Sequence, residues 1–413
     1  MSESLAARAR SRWSSPAVLM VTGAYYPELS GGGLQARAVV RALRGAAAFT
    51  VITTSIDPSL PRQSDEDGVT IRRIAVDVRS RSSELAAAVR LAAAFVRLAP
   101  RFDIVNLHGF SRKAILLVAL SRLLRKSFVL TLQTGIHDEP ESARAMGRAA
   151  YWAYANADLY LSVSPGLSRA YLAAGLPPAR LRQVCNAVDV ERFKPASADE
   201  RRSLRDQLGL PIDRALVLFV GYFSRDKRPD LLYEAWSRMQ ADTRSSAIVF
   251  IGTTRPTYQE VDATLASRIK ERARAAGVGD RLFFVESTRA VEKYFRAADL
   301  YVLPSVREGL SIALLEAMAS GLPCIATRLA GSTDSLIEHD VNGVLVEPDD
   351  AEGFAESMRT ILSDSDRAAR LGCAARETVL AQYSIQRTAP SWLSAYRELA
   401  SVSRLDAAVN DLS

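Results

Sequence analysis

Cysteine is scarce in this chain. Its three residues, Cys185, Cys324 and Cys373, are too few and too scattered for a disulfide framework or a zinc site. Cys185 and Cys324 fall in or beside predicted buried strands, where they read as small core residues of a reducing cytosol. No uninterrupted apolar run reaches about 18 residues, which argues against a membrane-spanning helix. The opening MSESLAARARSRWSSP lacks the long apolar centre of a secretory signal. Residues 1–16 are therefore expected to be a disordered basic tail on a cytoplasmic protein. No run of Lys and Arg exceeds two residues, and neither a zinc-finger spacing nor an RNA-binding aromatic motif occurs, so nucleic acid is not an expected partner.

What is present is ordinary globular material, 48% apolar and 24% charged, and 413 residues suffice for two domains. The charge is unevenly placed. Residues 1–190 hold 24 Lys and Arg against 14 Asp and Glu, while the remainder holds 29 against 32. A basic first half suits an anionic partner such as a phospholipid surface or a lipid-linked diphosphate. The segment Arg112–Lys126 has charged ends about an apolar middle. It fits a helix packed on a sheet as well as one lying on a membrane.

Short apolar strands alternate with helical patterns twice over. The first series is Ala17–Gly23, Phe49–Thr54, Val69–Ala75, Asp103–Leu107, Phe128–Leu132 and Asp158–Val163. The second is Ala215–Gly221, Ala247–Gly252, Leu282–Val285, Leu300–Leu303, Cys324–Thr327 and Val344–Val346. Each series predicts a parallel sheet flanked by helices, with ligands at the carboxyl ends of its strands. The polar stretch Phe193–Ile212 reads as the break between them.

The segment Ser305–Thr327, SVREGLSIALLEAMASGLPCIAT, carries the strongest chemical signal. Leu314, Leu315 and Met318 recur at helical spacing, Ser311 fits an N-cap, and Gly321 with Pro323 fits a stop. Glu308 and Glu316 stand eight positions apart, about 12 Å if the whole interval were helical. Free amides at the helix start between them suit a diphosphate. Elsewhere Gly31-Gly32-Gly33 follows the first strand and is expected just before a helix, where backbone can approach a phosphate or sugar closely or can simply form a loop. Val21-Thr22-Gly23-Ala24 is not a nicotinamide fingerprint, because Pro27 and Leu29 stand where further glycines are required.

The Glu308–Glu316 spacing resembles the Glu-x7-Glu motif of the family-4 retaining glycosyltransferases, and the likeness extends from Ala17 to about Leu399. The resemblance implies an α/β GT-B fold: two Rossmann-like domains with parallel sheets facing across a cleft, and a last helix crossing back to the first domain. The expected boundaries are 17–194, completed by 385–413, for the acceptor domain and 195–384 for the donor domain. The resemblance further implies that Glu308 holds donor-sugar hydroxyls and that Glu316 holds the ribose. The backbone of Gly309, Leu310 and Ser311 meets diphosphate and sugar, Gly32 and Gly33 line the donor, and Val285 lies along the base. Lys227 matches a family lysine on the diphosphate. Tyr222 replaces the family arginine, and Arg225 is the candidate substitute. Gln133 occupies a position where relatives often carry a histidine, with His108 and His137 as neighbouring candidates on the acceptor or sugar side. Asn186-Ala187-Val188-Asp189 matches the family's domain junction, as a turn or as a ligand contact.

The implied activity is transfer of a hexose, with retained configuration, from a nucleoside diphosphate sugar (UDP is the expected base). The acceptor is a glycan, a lipid-linked glycan or a small metabolite, in cell-surface glycan or glycoconjugate synthesis. No metal or cofactor is expected, and peripheral contact with the inner membrane face through the basic first domain is. Two rival readings fit the same residues, a nucleotide-sugar epimerase of similar build and a catalytically silent nucleotide-sugar binder.

Overall fold

The computed structural model describes residues 15–239, 245–254 and 260–410, with side chains described through residue 401. Most of the stretch expected to be a basic tail, up to residue 14, lies outside the described residues. The chain divides into two compact units, one of residues 1–186 with 388–413 and one of residues 187–387.

The first unit is built on eight strands: β1 (Ala17–Thr22), β2 (Ala48–Ser55), β3 (Gln63–Glu66), β4 (Val69–Ala75), β5 (Ile104–His108), β6 (Ser127–Leu132), β7 (Leu159–Ser162) and β8 (Leu181–Gln183). Their order is β3-β4-β2-β1-β5-β6-β7-β8. Strands β1, β5, β6 and β7 are buried almost throughout, as a sheet covered on both faces requires, which explains their unbroken apolar runs. The strand β3 departs from the expected all-parallel sheet and pairs antiparallel with β4. Its sequence QSDE has no apolar signal. What makes it a strand is the Asp67-Gly68 turn, both residues at positive φ (55° and 79°), which closes a tight hairpin onto β4.

The second unit holds β9 (Ala215–Val220), β10 (Ser246–Ile251), β11 (Leu282–Val285), β12 (Leu300–Leu303), β13 (Cys324–Thr327) and β14 (Val344–Val346), all parallel, in the order β11-β10-β9-β12-β13-β14. This is the doubly wound 3-2-1-4-5-6 arrangement, whose direction of winding reverses between β9 and β12. In the first unit the corresponding reversal lies between β1 and β5.

The expected break at 193–212 is corrected by the structure. Residues Ala198–Leu208 form a helix of the second unit, started by a capping box of Ser197 and Glu200 and ended by Gly209 at φ 65°. Its buried Arg205 donates to the Ala297 carbonyl at 2.9 Å and pairs with Asp299 at 2.5 Å. The polar composition reflects an exposed outer face and a buried ion pair, not a linker. The division between the units falls instead inside Asn186-Ala187-Val188-Asp189. There Val188 N donates to the Tyr383 carbonyl at 3.0 Å, and Ile385 N donates to the Val188 carbonyl at 3.1 Å, so the outgoing and returning strands of chain are hydrogen-bonded side by side.

The last helix, Ile385–Asn410, belongs to the first unit from Thr388 onward. Its Trp392 is fully buried, stacks on His108 with ring centres 5.6 Å apart, and donates to the Cys185 carbonyl at 3.2 Å. Asn106 Nδ2 donates to the Tyr396 hydroxyl at 2.6 Å. The helix Lys113–Leu123, the core of the Arg112–Lys126 segment, buries Ala114, Leu117, Val118 and Ser121, so it is a packed helix.

Candidate functional site

In the second unit the loops leaving β9 and β12 meet at the point where the sheet reverses its winding. Gly221 N donates to the Ile251 carbonyl at 2.9 Å, and the chain then turns so that Lys227 N donates to Ser224, at 3.2 Å to the carbonyl and 3.3 Å to Oγ. This aims Lys227 across to the β12 loop, where its Nζ donates to Glu308 Oε1 at 2.6 Å. The Glu308 side chain is 7% exposed and that of Lys227 is 28% exposed. A second tie holds the same two loops in register: Val306 N donates to the Asp226 carbonyl at 2.8 Å, and Arg307 pairs with the Asp226 carboxylate. Two residues 81 positions apart thus form one charged pair at the carboxyl ends of the central strands.

Beyond Glu308 the chain enters the helix Ile312–Ala319. Ser311 is its N-cap, with Oγ accepting from Leu314 N at 3.4 Å, and Leu314, Leu315 and Met318 face the core. The stop at Gly321 is real, with φ 72°. Only the second half of the Glu308–Glu316 interval is helical, in keeping with an N-cap at Ser311. Among the described residues, the amides of Gly309, Ile312 and Ala313 meet no protein acceptor. These donors open toward whatever lies before the helix, with its positive dipole end behind them.

Glu316 is held in a different state from a surface carboxylate. Burial pushes its pKa from the usual 4.5 up to about 8; Arg192 pulls it down and Glu292 adds to the rise. Arg192 itself is engaged by Glu292 at 2.7 Å and by the Arg289 carbonyl at 2.7 Å, so its charge is largely spent. Tyr301 is a buried residue of β12 within electrostatic reach of both acids. Its hydroxyl is buried without a hydrogen-bond partner among the described residues, and burial first, then the nearby charge of Glu308, holds it neutral. Sequence reasoning missed Tyr301, since nothing in LYVLPS marks one buried phenol as close to two acids.

The remaining donor-side candidates are less convergent. Arg225 is 88% exposed and leans on Asp262 at 3.5 Å. Val285 ends β11, and its carbonyl already accepts from Gly252 N at 3.0 Å, while Glu286 accepts from Thr254 Oγ1 at 2.6 Å. Gly31-Gly32-Gly33 do not precede the helix, as expected, but form its first turn, with Ser30 as N-cap accepting from Gly33 N at 3.1 Å. A Cβ on Gly33 would strike the Ala24 backbone, whereas one on Gly32 would meet nothing within 4 Å. Gly33 is therefore a packing requirement, and Gly32 faces open space.

In the first unit His108 is the last residue of β5. It is 6% exposed, its Nδ1 lies 3.4 Å from Gln133 Nε2, and its Nε2 is buried without a partner among the described residues. Burial lowers its pKa to about 3, so it is a neutral ring at any physiological pH. Gln133 is half-buried and His137 exposed. The residue that organises this corner is Asp138, also missed from sequence. Its buried carboxylate accepts from Phe110 N and Gln133 N, both at 2.6 Å, and from Thr134 N at 2.9 Å, clamping the β5 loop to the β6 loop. An aspartate in a loop beside a Gly and a Pro is too common a signal to single out.

Two Asp-x-Asp triplets occur, and both have structural work. Asp65 accepts from Gly68 N at 2.9 Å and Asp67 pairs with Arg41 at 3.0 Å, while Asp364 caps the helix Ser365–Gln382. Among the described residues no group of three or more His, Cys, Asp or Glu is arranged to hold a metal ion.

Comparison with known proteins places this geometry in context. Residues 200–378 match the family model "Glycosyl transferases group 1", and residues 30–187 match "Glycosyl transferase 4-like domain". A D-inositol 3-phosphate glycosyltransferase of Xylanimonas cellulosilytica is 34% identical over 206 residues, 48% of this chain and 46% of the relative. An alpha-maltose-1-phosphate synthase of Mycolicibacterium smegmatis is 29% identical over 253 residues, 59% of this chain and 64% of the relative. The alignment spans only about half the length of the first curated relatives. Among solved structures, sucrose-phosphate synthase from Thermosynechococcus elongatus superposes with a TM-score of 0.76 at 23% identity, covering 93% of this chain and 99% of that one. Anabaena HepE in complex with UDP-glucose superposes with a TM-score of 0.73 at 17% identity, covering 93% and 98%. These two likenesses are likenesses of fold.

Proposed function

The chain belongs to the glycosyltransferases of the GT-B fold, and on that premise we propose that it moves a hexose from a nucleoside diphosphate sugar, with UDP as the expected base, onto an acceptor hydroxyl with retention of configuration. The observation that carries this reading is the Lys227–Glu308 pair at the winding reversal of the second sheet, followed directly by open amides and Glu316. Glu316 takes the ribose hydroxyls, Lys227 and the Gly309–Ser311 backbone take the diphosphate, and Glu308 takes sugar hydroxyls. Arg225, exposed and weakly paired, is free to turn to the outer phosphate. No nucleophile is required of the protein. The leaving diphosphate accepts the proton of the attacking hydroxyl on the same face of the sugar, and the protein contributes positioning and stabilisation of the departing charge. The named relatives that act on sugar and inositol phosphates, and the fold neighbour bound to UDP-glucose, support a nucleotide-sugar partner.

The test is mass spectrometry of a small-molecule and lipid extract incubated with the protein and a panel of isotope-labelled UDP- and GDP-sugars. A labelled hexose should appear on one acceptor class from one donor. Binding of UDP with neither transfer nor donor hydrolysis from any donor would overturn the reading. Isomerised donor without acceptor would replace it by an epimerase.

The acceptor side is proposed to work at an anionic lipid surface, in cell-surface glycan or glycoconjugate synthesis. Among the described residues no helix is long and apolar enough to cross a membrane. The helix Arg81–Leu98, however, exposes Leu85 (69%), Val89 (63%) and Val96 (52%) on one face, with Arg81, Arg90 and Arg97 exposed beside them. Apolar side chains at helical spacing flanked by guanidinium groups suit the boundary of an anionic bilayer. The full chain should sediment with phosphatidylglycerol vesicles at low salt. Binding should weaken severalfold at about 0.5 M salt, where the screening length is only a few ångströms, and again in a Leu85→Glu, Val89→Glu variant. Equal binding of that variant would move the contact elsewhere.

A further inference from the structure

The first unit carries a lysine that the reading above leaves idle. Lys113 opens the helix Lys113–Leu123, five residues beyond the end of β5. Its Nζ donates to Thr54 Oγ1 at 2.8 Å, and that hydroxyl donates to the Gly23 carbonyl at 2.9 Å. An ammonium has three donors, and among the described residues this one has no other partner. No described carboxylate lies within 4 Å of it, although ion pairs are common elsewhere in the same unit. Burial alone lowers its pKa from the usual 10.5 to about 8, with no neighbouring charge to offset it. Lys113 and Thr54 are only partly exposed, so this cation is poorly hydrated with a single hydroxyl as its partner, and an arriving anion would gain from it.

Its location is that of a ligand site. Gly23 follows β1, Thr54 lies at the end of β2, and Lys113 follows β5; β1 and β5 are the strands between which the first sheet reverses its winding. Ligands of doubly wound sheets gather outside the carboxyl ends of strands at that point. The space there is open on the protein side, since a Cβ on Gly23 or on Gly32 would meet nothing within 4 Å. The end of β5 also presents His108 Nε2, buried and unpartnered among the described residues.

We propose that Lys113 and Thr54 form an oxyanion subsite that docks a phosphate monoester or carboxylate carried by the acceptor. Lys113 provides the charge, and Thr54, with its proton committed to Gly23, fixes the ammonium in place. The subsite selects acceptors by charge, apart from the nucleotide site in the second unit. The inference rests on the transferase reading, with the first unit receiving the acceptor.

The experiment uses the full chain and separates the two. Calorimetry with UDP comes first; absence of UDP binding counts against the transferase reading. With the nucleotide site then saturated by UDP, inorganic phosphate and glucuronate are titrated separately. Wild type is expected to bind at least one of them, phosphate if the acceptor is a phosphate ester and glucuronate if it is a uronic acid. Lys113→Gln should bind it about tenfold more weakly or worse, the loss expected for a charge-assisted contact, while Lys113→Arg retains part of the affinity. A second readout needs no variant. Trace acetylation at pH 8, read by peptide mass spectrometry over the six lysines of the chain, should show Lys113 protected severalfold by the bound anion and Lys126, Lys270 and Lys293 unchanged. Lys113 labelling indifferent to both anions, or undiminished anion binding by Lys113→Gln, would overturn the subsite and leave the donor assignment standing.

Discussion

Lys227→Ala is expected to lower turnover by about 100- to 1,000-fold, the range found when one preorganised donor to a developing oxyanion is removed. In the structure Lys227 is not waiting in solvent. It is pinned at 2.6 Å to a carboxylate that is itself 93% removed from water, and the pair fastens the loop after β9 to the loop after β12. The substitution therefore does two things. It removes the cation that meets the leaving diphosphate, and it leaves Glu308 buried without its partner. The second effect should appear as a stability loss of about 1–3 kcal/mol, below the full figure for a buried pair because Lys227 is partly exposed. The two are separated by Lys227→Ala with Glu308→Gln. Removing both charges should recover most of the stability in urea denaturation and none of the turnover. If the double variant regains turnover with stability, Lys227 serves only to hold Glu308.

Much of the fold was legible because buried parallel strands are short apolar runs bounded by glycine, proline or charge. The strands β11, β12, β13 and β14 begin and end where LFFV, LYVL, CIAT and VLV do. Legibility failed where tertiary context outweighs composition. The edge strand β3 is polar and exists through its hairpin turn, and the helix Ala198–Leu208 looks like a linker because its one buried cation, Arg205, is paid for by an aspartate 94 residues away. The site divides in the same way. Glu308, Glu316 and Lys227 stand out through spacing and resemblance, but their pairing spans two loops and no local pattern encodes it. Asp138, Tyr301 and Lys113 are ordinary letters in ordinary stretches. What singles them out is the company they keep in the fold: three converging amides for Asp138, no partner among the described residues for the Tyr301 hydroxyl and a lone hydroxyl for Lys113.

The affinity for UDP is expected to rise with pH between about 6 and 8 and to level off above, because Glu316 must lose a proton to accept both ribose hydroxyls. Burial holds this carboxyl near 8, so at neutral pH most molecules of the free protein carry the proton. A ligand that needs the ionised form releases that proton, and its dissociation constant falls by up to about tenfold per pH unit below the free-site pKa. Calorimetry at several pH values, each in buffers of different ionisation heat, should show release approaching one proton below pH 8 and little above it. Glu316→Gln should abolish the pH dependence and weaken UDP by about 10- to 100-fold, as expected when charge-assisted hydrogen bonds become neutral ones. The free protein should respond in the opposite sense. Its folded-state pKa lies above the unfolded 4.5, so wild type binds the extra proton when folded and loses stability as pH rises from 4.5 to about 8, with the penalty complete above that. The Gln variant has no such proton to lose, and its melting temperature should exceed that of wild type by several degrees at pH 8.5. A variant that is more stable yet binds nucleotide worse identifies a residue strained for its ligand. Undiminished UDP affinity in Glu316→Ala would remove Glu316 from the ribose, whatever happened to stability.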